Sequence, residues 1–441
     1  MARSRRRRLP EAPVTAVVAD LAHDGRGVAR VEGKAVFVDG ALPGETVQFR
    51  YTACHSKHDE ARVEAVLEAS PERVEPRCRH FGVCGGCSLQ HLDAHQQLRR
   101  KQDWLRDNLQ RVGGLQPQTW FEPLTGPHWG YRHKARLGVK HVIKKGKVLV
   151  GFRERNAPYL ADLTRCEVLH PRVGTLLPEL SELIQGLSIH DRLPQIEVAV
   201  GDDVVALSFR VLDPPSEADR AALAAFGERH AIQIYLQPKG PDTTVALWPA
   251  EPVLDYRLPE LDLTLQFQPY HFTQVNPAIN RRMVSRALKL LAPEPHHRVL
   301  DLYCGLGNFS LALARRAGQV VGVEGEPALV ARAAANASLN RVHNAEFVAA
   351  DLAKPVAGQP WADTRYDRVL LDPPRSGALE MIPVVAGLGA ERVLYVSCHP
   401  ATLARDAGEL VHTHGYRLLG AGVMDMFPHT AHVESMALFG R

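Results

Sequence analysis

The fold is decided by one stretch, Asp301-Leu302-Tyr303-Cys304-Gly305-Leu306-Gly307-Asn308-Phe309, which has the pattern of a strand end, a glycine turn and a helix start. Such a turn lets the backbone approach a nucleoside-bearing ligand closely, although it lacks the third glycine of the dinucleotide fingerprint and also fits a plain tight turn. Glu324 ends the next predicted strand, where a carboxylate can accept both hydroxyls of a ribose. Together the two features predict a site for a ribose but none for a pyrophosphate. S-adenosylmethionine fits such a site, because it contains a ribose and no pyrophosphate.

The chain around this stretch alternates between strand-like and helix-like segments from Phe272 onward, which predicts a Rossmann-like parallel sheet with crossover helices. We expect strands at residues 298–301, 320–324, 345–351, 368–372 and 392–398, and helices at 308–317 and 327–340. Ligands of such sheets bind at the carboxyl ends of the strands. The residues that end these strands should therefore face a single crevice; they are Asp301, Glu324, Asp351, Asp372 and Cys398.

A rigid loop, Asp372-Pro373-Pro374-Arg375, ends one of these strands. Its two prolines stiffen the chain and remove two backbone donors, which suits a loop that holds a planar base. Similar Asp- or Asn-Pro-Pro turns occur in methyltransferases that act on exocyclic amines, and a merely rigid turn is the other interpretation. The loop predicts methyl transfer to a base without indicating which atom receives the methyl group.

A thiol ends the last predicted parallel strand in Ser397-Cys398-His399-Pro400, just before a helix expected to begin near Ala401. A helix N-terminus lowers the pKa of a thiol, so Cys398 is the candidate nucleophile rather than a structural cysteine. Uracil fits this choice, because its C5 becomes nucleophilic only after an anionic adduct forms at C6, where a thiolate adds readily. A base must then remove the C5 proton. Glu434, on the closing strand region, is the candidate base, with a solvated edge glutamate as the alternative.

Four cysteines have the spacing of a metal or cluster site: Cys78, Cys84 and Cys87 lie close together in the sequence, and Cys166 follows far along the chain. Disulfides are not expected, because we interpret the protein as cytoplasmic and that compartment is reducing. Four thiolates suffice for a [4Fe-4S] cluster or for one tetrahedral zinc ion, and the spacing does not choose between them. Four cysteines would close every iron site, so a cluster here is expected to be structural or to position RNA.

Length and composition exclude several classes of protein. The chain has 441 residues, of which 45% are hydrophobic and 23% charged, with no apolar run long enough to span a membrane. No signal peptide follows the basic N-terminus, so we expect a cytoplasmic protein that does not bind a membrane. The net charge is only +4, but five Arg lie in residues 1–8 and nine Lys or Arg lie between Tyr131 and Arg155, against the single acid Glu154. These blocks make nucleic acid the expected partner class.

Three domains are expected. Alternating apolar stretches and glycines from Val14 to about Ala69 predict a compact β-barrel, so residues 1–69 are assigned to a basic tail and an N-terminal barrel. Residues 70–265 are interpreted as a central α+β domain that holds the cysteine set, and residues 266–441 as the catalytic domain. Leu98, Leu105, Leu109 and Val112 recur at helical spacing and predict an amphipathic helix over 93–112.

In this order the motifs resemble one family, the bacterial 23S rRNA uracil-C5 methyltransferases that carry an N-terminal TRAM domain and an iron-sulfur cluster. The pattern of the TRAM domain, an RNA-binding barrel of the oligonucleotide-binding type, is matched by Gly25-Arg26-Gly27-Val28-Ala29-Arg30, Gly33-Lys34, Val36-Phe37-Val38 and Leu42-Pro43-Gly44-Glu45. The catalytic pattern is matched by Gln274-Val275-Asn276, the 301–309 stretch, Glu324, the loop at 372–375, Ser397-Cys398-His399-Pro400 and Glu434.

The resemblance implies a role for each matching residue. S-adenosylmethionine would be contacted, or the target uracil framed, by Gln274, Tyr303, Asn308, Glu324, Asp351 and Asp372. Cys398 would be the nucleophile and Glu434 the base, and the [4Fe-4S] ligands would be Cys78, Cys84, Cys87 and Cys166. The resemblance also implies 23S rRNA as the partner and packing of the 93–112 helix on the catalytic domain. We expect a monomer with no obligate protein partner.

Three other functions stay open. A methyltransferase of another rRNA or tRNA uridine would share the catalytic motifs, although tRNA-specific relatives lack both the barrel and the cysteine set, and the other rRNA enzyme lacks the barrel. A base-amine methyltransferase needs no thiol at Cys398. A non-catalytic RNA-binding iron-sulfur protein needs neither Glu324 nor the glycine turn at 305–307.

Overall fold

The computed structural model describes residues 9–441, so the arginine-rich run in residues 1–8, predicted to be a basic tail, lies outside the described residues. The chain divides into two compact units. The first consists of the described residues up to Trp104, with Glu154–Ala157 and Phe427–His432. The second consists of Leu105–Arg153, Pro158–Met426 and Val433–Arg441. The three-domain division expected from the sequence stays a prediction.

The first unit begins with a closed five-stranded barrel, as predicted. Its strands are β1 (Val14–Leu21), β2 (Gly27–Val31), β3 (Lys34–Asp39), β4 (Thr46–Cys54) and β5 (His58–Glu68). The strand order is β1-β2-β3-β5-β4, with β4 pairing back onto β1 and with β3 parallel to β5. Alternate side chains fill the interior, and the fully buried ones include Val36, Val47 and Phe49.

The predicted 93–112 helix is present as α1 (Ala94–Arg111), and the unit boundary falls within it, after Trp104. Its buried stripe includes Leu105 and Leu109, two of the residues whose spacing predicted the helix. Before it, residues 70–93 form the irregular segment of the first unit that carries Cys78, Cys84 and Cys87.

The second unit opens with a short edge strand and a mixed six-stranded sheet. The elements are β6 (Thr119–Trp120), β7 (Lys134–Val142), β8 (Lys147–Gly151), α2 (Pro171–Gly174), α3 (Leu177–Gln185), β9 (Gln195–Val200), β10 (Val205–Arg210), α4 (Glu217–His230), β11 (Ile232–Gln237) and β12 (Val245–Trp248). The sheet order is β12-β11-β10-β9-β7-β8, in which β10 and β11 are parallel and the other neighbours antiparallel. A two-stranded hairpin follows, β13 (Asp255–Leu258) and β14 (Leu263–Gln266).

The parallel sheet predicted from the 301–309 stretch is the core of the second unit. Its elements are α5 (Pro277–Leu291), β15 (Arg298–Leu302), α6 (Ser310–Ala314), β16 (Gln319–Glu324), α7 (Pro327–Leu339), β17 (Ala345–Ala349), β18 (Arg368–Leu371), α8 (Ile382–Gly387), β19 (Arg392–Ser397), α9 (Pro400–Gly408), β20 (Arg417–Met424) and β21 (Glu434–Gly440). The strand order is β17-β16-β15-β18-β19-β21-β20-β6. The strands β15 to β19 are parallel, and β21 enters antiparallel between β19 and β20.

This topology fixes where a ligand can bind. The chain proceeds from β15 to β16 on one side and later returns to β18 on the other, so the strand order reverses beside β15. In open parallel sheets the ligand crevice lies at this reversal, outside the carboxyl ends of the strands. One predicted element differs from the helix expected at 308–317: α6 begins two residues later, because the turn that Gly305 and Gly307 make with φ of 56° and 94° continues through Phe309, and it ends three residues earlier, at Ala314. Within residues 9–441, no helix is both long and apolar enough to cross a bilayer.

Candidate active site

The glycine turn after β15 leaves open space where the sequence predicts a ligand. Tyr303 and Gly305 both have left-handed backbones, with φ of 64° and 56°. A Cβ added to Gly305 would meet no atom within 4 Å. A left-handed tyrosine is a strained conformation that persists only where its surroundings hold it. Burial raises the pKa of the Tyr303 hydroxyl to about 12, so it is a neutral donor at the rim of the turn.

The two acids predicted for the neighbouring strand ends lie beside this turn. Glu324 accepts the N–H of Gly305 on Oε2 and the N–H of Glu326 on Oε1, both at 3.1 Å. Each oxygen keeps a second lone pair, which a ribose hydroxyl can use. Asp351 follows Ala350, whose N–H donates to the carbonyl of Glu324, and its exposed carboxylate pairs with Lys354 at 2.9 Å. That ion pair lowers the pKa of Asp351.

Asp301 and Asp372 end the adjacent strands β15 and β18, and both are carboxyls shifted toward neutrality. Burial raises the pKa of each to about 7. Ser310 donates to Oδ2 of Asp301 at 2.5 Å, while Oδ1 has no hydrogen-bond partner within residues 9–441. A cation bound beside these groups would favour their ionised forms, so the pocket suits a positively charged ligand.

The side chain of Asn308 is held by two residues that the sequence reasoning missed. Its Oδ1 accepts from the Tyr256 hydroxyl at 2.9 Å and from Nδ2 of Asn280 at 3.0 Å, and its own Nδ2 donates to Oδ1 of Asn280 at 3.0 Å. One signal was available: Asn280 is a polar residue in the buried stripe of α5, between Ile279 and Met283. Gln274 lies in the loop just before α5, three residues from Pro277.

The candidate nucleophile and base lie opposite each other. Ser397 of β19 pairs with Ser435 of β21 in antiparallel register, so the next residues outward on the two strands are Cys398 and Glu434. The turn is fixed by Ser397, whose Oγ accepts the N–H of His399 at 3.1 Å. Asp372 follows β18, the parallel neighbour of β19. The structure therefore brings Cys398, Glu434 and Asp372 to one end of the sheet.

The electrostatics of Cys398 differ from the sequence expectation. Although α9 begins at Pro400, just after the thiol, burial together with the negative charges of Glu434 and Asp372 raises the pKa of Cys398 to about 11. Arg375 acts in the opposite direction. The lowering predicted from the helix N-terminus is therefore wrong, because burial and two carboxylates outweigh it.

The three clustered cysteines occupy one irregular segment of the first unit. The N–H of Cys78 donates to Oε1 of Gln90 at 3.1 Å, and the Sγ of Cys84 accepts the N–H of Gly86 at 3.4 Å. Backbone N–H donors to sulfur are suited to a metal-bound thiolate, so this donor set fits a thiolate-ligated group. Cys166 belongs to the second unit, where its N–H donates to the carbonyl of Gly174 at 2.9 Å. The four-cysteine set stays a prediction.

Known proteins match the chain over nearly its whole length. A family model described as tRNA (Uracil-5-)-methyltransferase matches residues 93–441, and a TRAM domain model matches residues 13–63. The 23S rRNA (uracil(1939)-C(5))-methyltransferase RlmD of Alkalilimnicola ehrlichii is 57% identical over 439 residues, which are 99% of this chain and 98% of the relative. The chain belongs to the 23S rRNA (uracil(1939)-C(5))-methyltransferase family. The relative of the same name from Methylococcus capsulatus is 53% identical over 440 residues, which are 100% of this chain and 99% of that relative.

Membership of this family confirms several predictions. The chain is an RNA uracil-C5 methyltransferase of transferase class 2.1.1 with an N-terminal TRAM barrel, and S-adenosylmethionine is the methyl donor that the family supports. Among solved structures, the Pyrococcus abyssi tRNA (uracil-54, C5)-methyltransferase in complex with S-adenosyl-L-homocysteine superposes with a TM-score of 0.74 at 24% identity, over 96% of this chain and 99% of that one. This likeness shows the shared fold. The roles of individual residues and the iron-sulfur cluster stay predictions.

Proposed function

We propose that this methyltransferase transfers the methyl group of S-adenosylmethionine to C5 of a uridine in 23S rRNA, the uridine at position 1939 that its relatives' names give. The Cys398 sulfur adds to C6 of the base, and C5 then attacks the methyl group, which breaks the methyl–sulfur bond and releases S-adenosylhomocysteine. Glu434 removes the C5 proton, so that the C6–S bond breaks and Cys398 leaves as the thiolate. The observation that supports this proposal is the pairing of Ser397 with Ser435. Because of this register, Cys398 and Glu434 lie at the same end of two paired strands, next to Asp372.

The pKa of Cys398, about 11, means that the thiol keeps its proton at neutral pH. Bound S-adenosylmethionine supplies the methyl group and a positively charged sulfonium, and a positive charge nearby lowers the pKa of a thiol. Asp372 follows the strand next to that of Cys398, and its own pKa of about 7 suits it to accept the thiol proton. Nucleophile activation would therefore follow ligand binding.

Two substitutions test this sequence of steps, because they should fail at different stages. Cys398→Ala should bind RNA but yield neither 5-methyluridine nor a covalent enzyme-RNA species. Glu434→Gln allows addition and methyl transfer but slows elimination, so a methylated adduct should accumulate and survive denaturing electrophoresis. Loss of a general base costs about 10² to 10⁴ in rate, which is enough to make that species visible. Methylation by Cys398→Ala would refute the thiol route, and normal turnover by Glu434→Gln would require another base.

The rival base-amine chemistry draws support from the 372–375 loop, and the same variants separate it. An exocyclic amine attacks the methyl group directly and needs no thiol adduct, so Cys398→Ala would then keep its activity. Analysis of the product nucleoside decides independently between a methylated amine and 5-methyluridine. To test the position, 5-methyluridine is mapped in the rRNA and tRNA of cells that lack this protein.

An RNA partner is supported by two surfaces, one in each unit. On the barrel, the guanidinium of Arg26 lies 4.9 Å from the ring centre of Phe37, and the His58 ring meets the same ring edge-on at 5.4 Å. Phe37 lies on β3, and oligonucleotide-binding barrels use the face of their second and third strands. The basic block predicted from Tyr131 to Arg155 includes, in the second unit, the β7–β8 hairpin, whose tip carries Lys144 and the 85% exposed Ile143.

The cluster expected in the family would be held by Cys78, Cys84, Cys87 and Cys166. With four thiolate ligands it would have a structural or RNA-positioning role rather than an open iron site. We propose that the enzyme works as a cytoplasmic monomer without an obligate protein partner. Sedimentation of the purified chain tests the monomer, since a second species that depends on concentration would contradict it.

A further inference from the structure

The loop that follows β18, residues 372–378, is held by the helix that follows Cys398. Three hydrogen bonds connect the loop backbone to side chains of α9. Thr402 Oγ1 donates to the Arg375 carbonyl at 3.3 Å, Arg405 Nη2 donates to the Ser376 carbonyl at 2.9 Å, and the N–H of Ala378 donates to Asp406 Oδ2 at 2.7 Å. The helix α9 begins at Pro400, two residues after Cys398. It therefore connects the thiol to this loop through a short segment.

One buried carboxylate lies at the centre of this connection. Asp406 is fully buried, and its Oδ2 accepts both the N–H of Ala378 and the hydroxyl of Tyr395, the latter at 2.6 Å. Its Oδ1 accepts from Nε of Arg405 at 2.8 Å. Tyr395 is also fully buried and lies on β19, three residues before Cys398. A single side chain thus connects the nucleophile's strand, the helix after it and the loop that begins at Asp372.

The loop packs against this carboxylate without spare room. Gly377 has a φ of +85°, and a Cβ added there would lie 2.6 Å from Asp406 Oδ2 and 3.1 Å from Cβ of Thr402. Only a glycine can approach so closely in this backbone conformation. The position of the loop relative to α9 is therefore defined by direct contact as well as by hydrogen bonds.

We propose that Asp406 is a positioning residue that sets the distance between the Cys398 sulfur and the loop that carries Asp372. This inference rests on the proposed function, because that distance matters only if the thiol attacks a base held by the loop. Addition requires the sulfur and C6 to be about 3 to 3.5 Å apart, and a misplacement of about 1 Å costs about 10² in rate. An asparagine at this position keeps the shape but points an NH₂ group at one of the donors that the carboxylate now satisfies.

The test compares three variants of the full-length enzyme. Asp406→Asn is expected to lower kcat by about 10²-fold while the KM for S-adenosylmethionine changes by less than about threefold. Arg405→Gln changes a side chain that is 40% exposed, removes the bond to Ser376, and is expected to lower kcat by about tenfold. The matched control is Asp219→Asn, because Asp219 is also a buried carboxylate, 4% exposed, that lies in the first turn of α4 and accepts hydrogen bonds from Ser188 and Ser216. It should lower the Tm without the selective loss of kcat.

A second readout separates this inference from the proposed function. RNA with 5-fluorouridine at the target position has no C5 proton to lose, so the wild-type enzyme should accumulate a denaturant-stable adduct. No adduct with the wild-type enzyme would reject the thiol route itself. An adduct that forms at the wild-type rate in Asp406→Asn, or an equal loss of kcat in Asp219→Asn at an equal Tm, would overturn the positioning role alone. If Asp406→Asn does not fold, full kcat in Arg405→Gln overturns it.

Discussion

The side-chain amides of Asn280 and Asn308 form a reciprocal pair in which each Nδ2 donates to the other's Oδ1 at 3.0 Å. The pair joins α5 to the end of the glycine turn, so it sets the shape of the turn from a helix that is otherwise apolar on its buried face. A tight turn that is held near its end by a neighbouring helix can stay preformed.

Asn280→Leu should therefore weaken S-adenosylmethionine binding, although Asn280 is not among the residues predicted to contact this ligand. The change leaves half of the Asn308 amide unpaired, at a cost of about 1 to 3 kcal/mol, and we expect a lower Tm and a Kd about tenfold higher by calorimetry. Asn340→Leu is the control, since Asn340 exchanges two hydrogen bonds with the backbone of Thr264 at 2.8 Å and 2.7 Å, away from the turn. An equal rise of the Kd in both variants would contradict the assignment.

The pH dependence of Cys398 alkylation should reveal a thiol of unusually high pKa. Iodoacetamide reacts with the thiolate, so the Cys398-specific rate, obtained by subtracting Cys398→Ala, should rise about tenfold per pH unit between pH 7 and 10 because the pKa is about 11. Glu434→Gln removes a negative charge that disfavours the thiolate, so the profile should move to lower pH. Glu380→Gln should leave the pH profile unchanged, because the charge of Glu380 raises the pKa of Tyr303 and not that of Cys398. A plateau already at pH 8 would be incompatible with this electrostatic account.

Substitution of one cluster ligand should remove the iron while the barrel stays folded. Anaerobically purified wild-type protein is expected to be brown, with about four iron and four sulfide per chain, and Cys84→Ser should lose most of both. Cys54→Ser is the matched control, because Cys54 ends β4 of the barrel and lies outside the cysteine segment. One zinc per chain in a colourless protein would instead favour the tetrahedral metal site that the cysteine spacing also allows.

The β7–β8 hairpin offers a test of RNA contact by single charges. Lys145 and Lys147 both pair with Asp162, at 3.2 Å and 2.8 Å, whereas Lys144 has no acidic partner among the described residues. Lys144→Gln should lower the slope of log K against log salt by about 0.7 to 0.9 if the lysine neutralises a phosphate. Lys147→Gln should change the slope less, because Asp162 already compensates that charge. A slope unchanged by Lys144→Gln would place the RNA elsewhere.

Much of the fold could be predicted because strand ends and glycine turns are local signals. The sequence around Asp301, Glu324 and Asp372 indicates a buried apolar strand followed at once by an acid, and the structure has each strand within two residues of the predicted bounds. The length of α6 was predicted less well, since the number of residues taken up by the turn depends on the backbone angles of Gly305 and Gly307.

The missed parts of the site depend on contacts between distant residues. Tyr256 and Asn308 are far apart in the sequence, and no local pattern predicts the hydrogen bond between their side chains. The shift in the pKa of Cys398 was predicted in the wrong direction for a similar reason. The helix N-terminus can be recognised in the sequence, but the burial of the thiol and the position of Glu434 on the paired strand β21 cannot.

A thiol that keeps its proton at rest is also protected from oxidation. Hydrogen peroxide converts thiolates to sulfenic acid far more readily than it attacks thiols. With a pKa of about 11, the Cys398 sulfur carries almost no thiolate at neutral pH. During oxidative stress the resting pool of enzyme should therefore keep its nucleophile intact, and damage should fall on those molecules that are engaged in turnover.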